Sequence, residues 1–241
     1  MTAVFITATL AMVCYCLWVR RDTWWSRWES AATFAIAMEG CALLLLSPWA
    51  GDELSPPLHS CLGLWNVQQL AGSLCMIIAI VANINHMLVR LVEPDLVRPL
   101  LRKHLLAPLS LCVAVMLIAF AKAGYGHQPD MFAEMTGNRW ITVYELAIAA
   151  LSAYLGIYIG RLMLLLWSDP RARTTVILYL ASFVFALAAC ALVAVSIWIR
   201  SYLGLAIWGC ICVSVSIFAY GLARSWQAKQ AWFSPDAAKS H

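Results

Sequence analysis

The chain has 241 residues, of which 63% are hydrophobic and 12% are charged, and its formal net charge is +4. Its mean hydropathy is +0.80. Soluble domains carry roughly 25% charged residues, so this composition excludes an ordinary soluble domain and indicates that most of the surface faces lipid.

Seven apolar segments are long enough to cross a bilayer, whose hydrocarbon core needs about 20 residues of helix. They lie at about 2–19, 31–49, 62–90, 105–121, 140–167, 174–199 and 202–223. Each is a continuous apolar run, as expected of a helix that satisfies its own backbone hydrogen bonds in lipid. The sequence therefore predicts an all-α, polytopic seven-helix bundle over residues 1–225. A short tail over 226–241 follows, and part of it is predicted to be an interfacial helix.

Basic residues fix the predicted orientation. Thirteen of the sixteen Lys and Arg residues lie in the first, third and fifth gaps, in the segment ends beside those gaps, or in the tail. Cytoplasmic loops are enriched in Lys and Arg, so we expect the amino terminus outside, the carboxyl terminus in the cytoplasm, and a multi-pass protein of the plasma membrane. Trp residues mixed with Arg after the first segment, at 20–28, predict a headgroup-level anchor.

The gaps themselves are short. Residues 50–61 contain Pro56 and Pro57 and are predicted to form an external loop. The Glu93-Pro94-Asp95 sequence in the third gap could cap a short helix. Residues 222–233 have an amphipathic pattern that predicts a helix on the inner leaflet, and residues 234–241 are expected to be disordered.

Glu39 is the most unusual residue, because it lies in the middle of the second predicted helix. An acidic side chain at this depth usually faces the bundle interior. We expect Glu39 to be protonated at neutral pH, with Gln69 or Ser73 of the third helix as its partner. Two interpretations remain open: proton coupling or ligand binding, and a structural hydrogen bond between helices that contributes about 1 kcal/mol.

The third predicted helix carries Asn66, Gln69 and Ser73 on one stripe. Polar residues of this kind are expected to be shielded from lipid, which predicts that this helix is central in the bundle. Glu145 in the fifth helix is a further candidate for ligand or proton binding, although it lies five residues after Trp140 and could instead reach external water.

Histidines invite a haem or metal interpretation, in which His86 and His104 near the inner side are weak candidate ligands. Membrane b-type cytochromes use two His for each haem, but His59 and His127 lie in predicted loops. We therefore predict no metal and no cofactor. The sequence has no recognisable catalytic motif, no disulfide framework, and no clustered basic surface of the kind that binds nucleic acid.

Four short motifs carry a resemblance to a known group. They are Ser47-Pro48, Trp65-Asn66, Trp140 with Tyr144, and Asp169-Pro170-Arg171-Ala172-Arg173. Over roughly residues 1–225 the chain resembles actinobacterial, mycobacterial-type seven-helix integral membrane proteins, some of which are labelled transporters without a demonstrated substrate. The resemblance implies no functional residues.

Three functional interpretations follow. The first is a non-enzymatic membrane protein that acts through a protein partner at its cytoplasmic loops, in signalling, sensing or host defence. The second is a small transporter or permease that uses Glu39. The third is a haem- or metal-binding redox protein.

Overall fold

The structure is a computed structural model, and it describes residues 1–124, 126–132, 138–170 and 172–232. Helices dominate these residues, and the described part of the chain contains no strand, which confirms the all-α prediction. The helices are α1 (Thr2–Val19), α2 (Ser30–Leu46), α3 (Pro48–Leu62), α4 (Val67–Leu91), α5 (Pro94–Leu101), α6 (Ala107–Ala123), α7 (Arg139–Leu165), α8 (Arg173–Ile199) and α9 (Gly204–Trp232). A 3-10 turn (Arg21–Trp25) follows α1, and a π-helical segment (Arg102–Leu106) joins α5 to α6.

In the described part of the chain, six helical stretches are long and apolar enough to span a bilayer, with α5 and α6 counted as one. A seventh is added if α2 and α3, which meet at a bend of 76°, form one broken span. The chain is therefore an integral membrane protein, and the predicted number of seven passages corresponds to the larger of the two counts.

The helices pack as a ring. In the order α2, α4, α7, α8 and α9, each helix packs along the next, while α1 lies against both α9 and α2 and closes the ring. Helix α6 packs on the outside of α7. Two seams of small residues allow close contact. Gly160 lies where an added Cβ would be 3.1 Å from the Phe183 ring, and Ser182 and Ser214 donate to each other's carbonyl oxygens across α8 and α9 at 2.9 and 2.8 Å.

The prediction of an external loop over 50–61 is wrong. Helix α2 ends at Leu46, and α3 begins at once because Ser47 and Pro48 form a helix start: the Ser47 hydroxyl accepts from the Ala50 amide at 3.2 Å. Proline is well suited to the first position of a helix, since the amide it lacks would have no partner there. Helix α3 then runs to Leu62, and the third predicted helix begins at Val67 rather than at residue 62.

Helix α4 is not a central post. It is one wall of the ring, packed mainly on α2 and α7. In the most apolar 18-residue window of each candidate span, 44% of the α9 residues are buried, against 39% of the α4 residues. The amide side chains that suggested a central position are shielded by contacts at the end of α4 instead, as described below.

The helix predicted over 222–233 is continuous with the last spanning segment: α9 runs without a break to Trp232. Its position at the inner leaflet stays a prediction. Leu222 is buried, and Lys229 bonds the carboxylate of Glu29. Residues 233–241 lie outside the described residues, and with them the predicted disorder of 234–241.

Candidate functional site

A cavity of about 180 Å³ lies inside the ring, between α2, α4, α7, α8 and α9. Its walls are mostly apolar. Five aromatic side chains line it: Phe132, Tyr179, Phe183, Trp208 and Phe218. The polar exceptions are few, and they include the two acidic residues that the sequence places inside the membrane.

Glu39 of α2 and Glu145 of α7 both line this cavity. Each side chain is half-buried. Within the part of the chain that the structure describes, neither carboxyl group has a hydrogen-bond or ion-pair partner. Two further polar atoms of the cavity, Asn83 Oδ1 and Ser152 Oγ, have no hydrogen-bond partner in the described parts of the chain. Either carboxyl group, once ionised, would be a negative charge on an apolar wall with no counter-charge among the described residues.

The two carboxyl groups lie at different depths. Glu145 also lines a second, small pocket of about 20 Å³, together with Ser196 and Ser201 at the α8–α9 turn. A volume of that size holds about one water molecule. Helix α2 begins at Ser30, at the other end of the bundle. Glu39 lies nine residues further along α2, which corresponds to about 14 Å at 1.5 Å per residue. Glu145 is thus placed towards one end of the ring and Glu39 towards its middle.

The expected partners of Glu39 are engaged elsewhere. The Ser73 hydroxyl donates to the Gln69 carbonyl at 2.9 Å and lies 3.0 Å from the hydroxyl of Tyr144, although Ser73 also lines the cavity. The Gln69 amide donates to the Gln128 carbonyl at 2.8 Å. The hydrogen bond expected between Glu39 and either residue is therefore not formed.

Asn66 organises the end of the bundle near Gln69, which we call the Asn66 end. Its backbone has φ = 59°, a left-handed conformation that Asn tolerates better than most residues. Its side chain donates to the Gly126 carbonyl at 3.0 Å and accepts from the backbone amide of Gln128 at 3.2 Å. The backbone amide of Asn66 donates to the Ser55 hydroxyl at 2.9 Å. Asn66 and Gln69 thus join α3, α4 and the 126–132 segment.

The histidines lie in separate surroundings. His59 stacks on Trp65 at a centroid distance of 3.9 Å, and His127 meets the same indole edge-on at 5.2 Å. The His104 ring lies 5.7 Å from that of Tyr158. Among the described residues, no group of three or more His, Cys, Asp and Glu is placed to hold a metal ion.

The peptide carbonyl of His104 has a defined structural partner. Pro108 has no amide hydrogen, so the carbonyl four residues earlier in the helix is left without its usual donor. The Tyr154 hydroxyl of α7 donates to that His104 carbonyl at 2.7 Å. This bond holds the π-helical segment before α6 against α7.

The opposite end of the bundle, the Glu29 end, contains a cluster that the sequence analysis missed. Arg20 was expected at headgroup level, but its side chain is 1% exposed. It donates to the Glu29 carboxylate at 2.9 Å, to the Thr33 hydroxyl at 3.1 Å and to the Leu222 carbonyl at 3.3 Å. This single guanidinium group therefore connects α1, the start of α2 and the end of α9.

The other carboxylate oxygen of Glu29 accepts from both Arg90 and Lys229. Burial alone would raise the pKa of Glu29, but the bonds from Lys229, Arg90 and Arg20 outweigh it and lower that pKa to about 2. The signal in the sequence was a single acidic residue at a helix start, flanked by an arginine-rich segment. Its partners at positions 90 and 229 could not be found without the order of the helices.

The arrangement has the parts of a site for a small cation: two carboxyl groups, apolar walls and aromatic faces around one cavity. Comparison of the chain with protein-family models, with curated proteins and with solved structures finds no match in any of the three.

Proposed function

We propose that this protein is a small permease of the plasma membrane that binds an organic cation in the central cavity. The observation that carries the proposal is the pair of carboxyl groups, Glu39 and Glu145, that face one apolar cavity without a partner among the described residues. A carboxylate away from water is strongly unfavourable unless a cation is paired with it. A ligand with a permanent positive charge would supply that cation.

The aromatic lining supports the same class of ligand. An ammonium group over the face of Trp, Tyr or Phe is attracted by the ring quadrupole, and the interaction is worth about 2 kcal/mol when water is excluded. Trp208, Tyr179 and Phe183 are among the residues that provide such faces. Since an engineered cavity of roughly 150 Å³ accommodates benzene, a cavity of about 180 Å³ suits a ligand with one ring or a short branched chain.

We assign the Glu29 end to the cytoplasm. Arg20, Arg90 and Lys229 come from three of the segments that charge counting predicts to be cytoplasmic, and they meet at one carboxylate. Their convergence supports a common side for these segments, and the enrichment of Lys and Arg on the inner side supports the choice of side.

The two other interpretations stay predictions. A partner at the cytoplasmic loops would find short connections there, such as the two residues between α4 and α5. A specific interface usually covers about 800 Å² on each partner, so it would have to extend over helix faces. The haem interpretation gains no paired ligands from the surroundings of His86 and His104.

Binding of phenyltrimethylammonium tests the proposal. We expect purified protein in nanodiscs to bind this cation, measured by calorimetry and by quenching of tryptophan fluorescence, and not to bind benzenesulfonate, an aromatic anion of similar size. Glu39→Gln and Glu145→Gln should each weaken binding about tenfold, the factor that corresponds to roughly 1.4 kcal/mol.

Glu53→Gln is the matched control, because Glu53 is an exposed acidic residue of α3. It should bind the cation as the unchanged protein does. Equal binding of the anion and the cation, or unchanged affinity in the double variant of Glu39 and Glu145, would contradict the proposed site. Uptake of the labelled cation into proteoliposomes then separates a permease from a receptor.

A further inference from the structure

We infer that Asn83 and His86 form a proton route from the cavity to the Glu29 end, so that protons move in exchange for the cation. This inference rests on the proposed function, because a bound cation supplies the charge that displaces a proton from the cavity carboxyl groups.

One face of α4 leads from the cavity to the Glu29 end. Residues 83, 86 and 90 follow one another at spacings of three and four, so they share one face of the helix. Asn83 lines the cavity. Arg90, two turns further along, bonds the carboxylate of Glu29. His86 lies between them, and the face therefore leads from the cavity to the ionic cluster.

Two side chains on this face, Asn83 and His86, each have a buried polar atom that is free to bind water. Asn83 is 6% exposed and His86 is 3% exposed. Neither Asn83 Oδ1 nor His86 Nδ1 has a hydrogen-bond partner among the described residues. A buried polar atom left without a partner is destabilising, and in many proteins an ordered water molecule satisfies it. Three residues of helix rise about 4.5 Å, a gap that one or two water molecules can bridge.

The side chains of His86 and Asn83 have different roles in moving a proton. An imidazole can accept a proton at one ring nitrogen and release another from the second, so it can relay a proton between two water molecules. The Asn83 amide cannot carry a proton, but it can orient the water that does. The charged groups that act on the His86 ring are Arg20, Glu29, Arg90 and Lys229, which together carry a net charge of +2.

The proposed exchange balances. When the cation enters the cavity, the carboxylic acid of Glu39 loses its proton to water and becomes the carboxylate that pairs with the ligand. That proton passes along the water beside Asn83 to one ring nitrogen of His86 as the other ring nitrogen gives its proton to water at the Glu29 end. The buried ring therefore passes the proton on without remaining an imidazolium beside the net charge of +2. One positive charge enters the cavity and one leaves it.

Proteoliposomes containing the pH dye pyranine test the route. With the membrane potential clamped by potassium and valinomycin, a gradient of phenyltrimethylammonium should drive a pH change in the lumen, opposite in sign to the movement of the cation. A permanently charged probe is used because it does not cross the lipid as a neutral base. His86→Gln and Asn83→Leu should reduce this pH change at least tenfold and leave cation affinity in nanodiscs within twofold.

Asn85→Leu is the control, since it makes the same change of side chain two residues further along α4, on another face. It should leave the pH change intact. His86→Gln keeps the ability to form hydrogen bonds, so a merely structural role for His86 predicts normal coupling in this variant. Normal coupling there, or cation transport without any pH change in the unchanged protein, would overturn the route and leave the proposed function standing. Absence of cation binding would instead remove the proposed function itself.

Discussion

Glu29→Gln should destabilise the protein far more than Lys229→Gln, although both changes remove an ion pair of the same cluster. The side chains of Arg20 and Glu29 are 1% and 7% exposed, whereas that of Lys229 is 34% exposed. Removing the charge of Glu29 leaves the buried guanidinium of Arg20 without a counter-ion. Breaking a buried ion pair in this way costs roughly 3–5 kcal/mol, while loss of a half-exposed pair costs roughly 0–1 kcal/mol.

Unfolding in mixed micelles of dodecyl maltoside and SDS, followed by far-ultraviolet circular dichroism, measures both free energies. Adding Arg20→Met to Glu29→Gln should recover at least half of the lost free energy of unfolding, because no unpaired charge is then buried between α1 and α9. Equal losses for Glu29→Gln and Lys229→Gln would refute the reasoning, since they would mean that Arg20 is solvated and does not depend on its carboxylate.

Three further predictions follow from contacts outside the cavity. Because the pKa of Glu29 lies near 2 rather than at its ordinary 4.5, its contribution to stability is complete above pH 4.5 and is lost as the pH falls towards 2; acid unfolding should show this loss, and Glu29→Gln should not. Gly51→Ala should lower the free energy of unfolding by roughly 1–3 kcal/mol, and with it the unfolding temperature, since the added Cβ would overlap the backbone of Pro129. Gly209→Ala, where nothing lies within 4 Å of the new atom, should not. Tyr144→Phe should cost about 0.5–1.5 kcal/mol through its lost hydroxyl, whereas Tyr220→Phe, at an exposed position, should be neutral in the same melt.

The sequence was sufficient for the helical type of the spanning segments and for most of their positions, because continuous apolar runs have few structural solutions in lipid. It was not sufficient for the path of the chain between α2 and α4. Pro56 and Pro57 indicate a loop by composition, yet both are exposed in the structure. They lie in a helix that starts from the strong Ser47-Pro48 signal. The start signal determined the local structure, and the prolines do not end the helix.

The candidate site was predictable only in parts. Glu39 and Glu145 are conspicuous individually, since each places an acidic group in an apolar run. That they face the same cavity depends on α2 and α7 being separated by α4 in the ring, and helical periodicity contains no information on that order. The same limit explains Glu29, two of whose cationic partners, Arg90 and Lys229, lie 61 and 200 positions away along the chain.

The length of α9 has a consequence for how the two faces of the membrane communicate. At 29 residues it measures about 44 Å. Its Trp208 indole donates to Asp130 at 3.2 Å, and its Lys229 bonds Glu29, 21 residues or about 32 Å away. Because α9 is one continuous helix with a contact near each end, a displacement at one end moves the other end as well. A spectroscopic label near Asp130 should therefore respond when the ion pair between Lys229 and Glu29 is broken, even without a bound ligand.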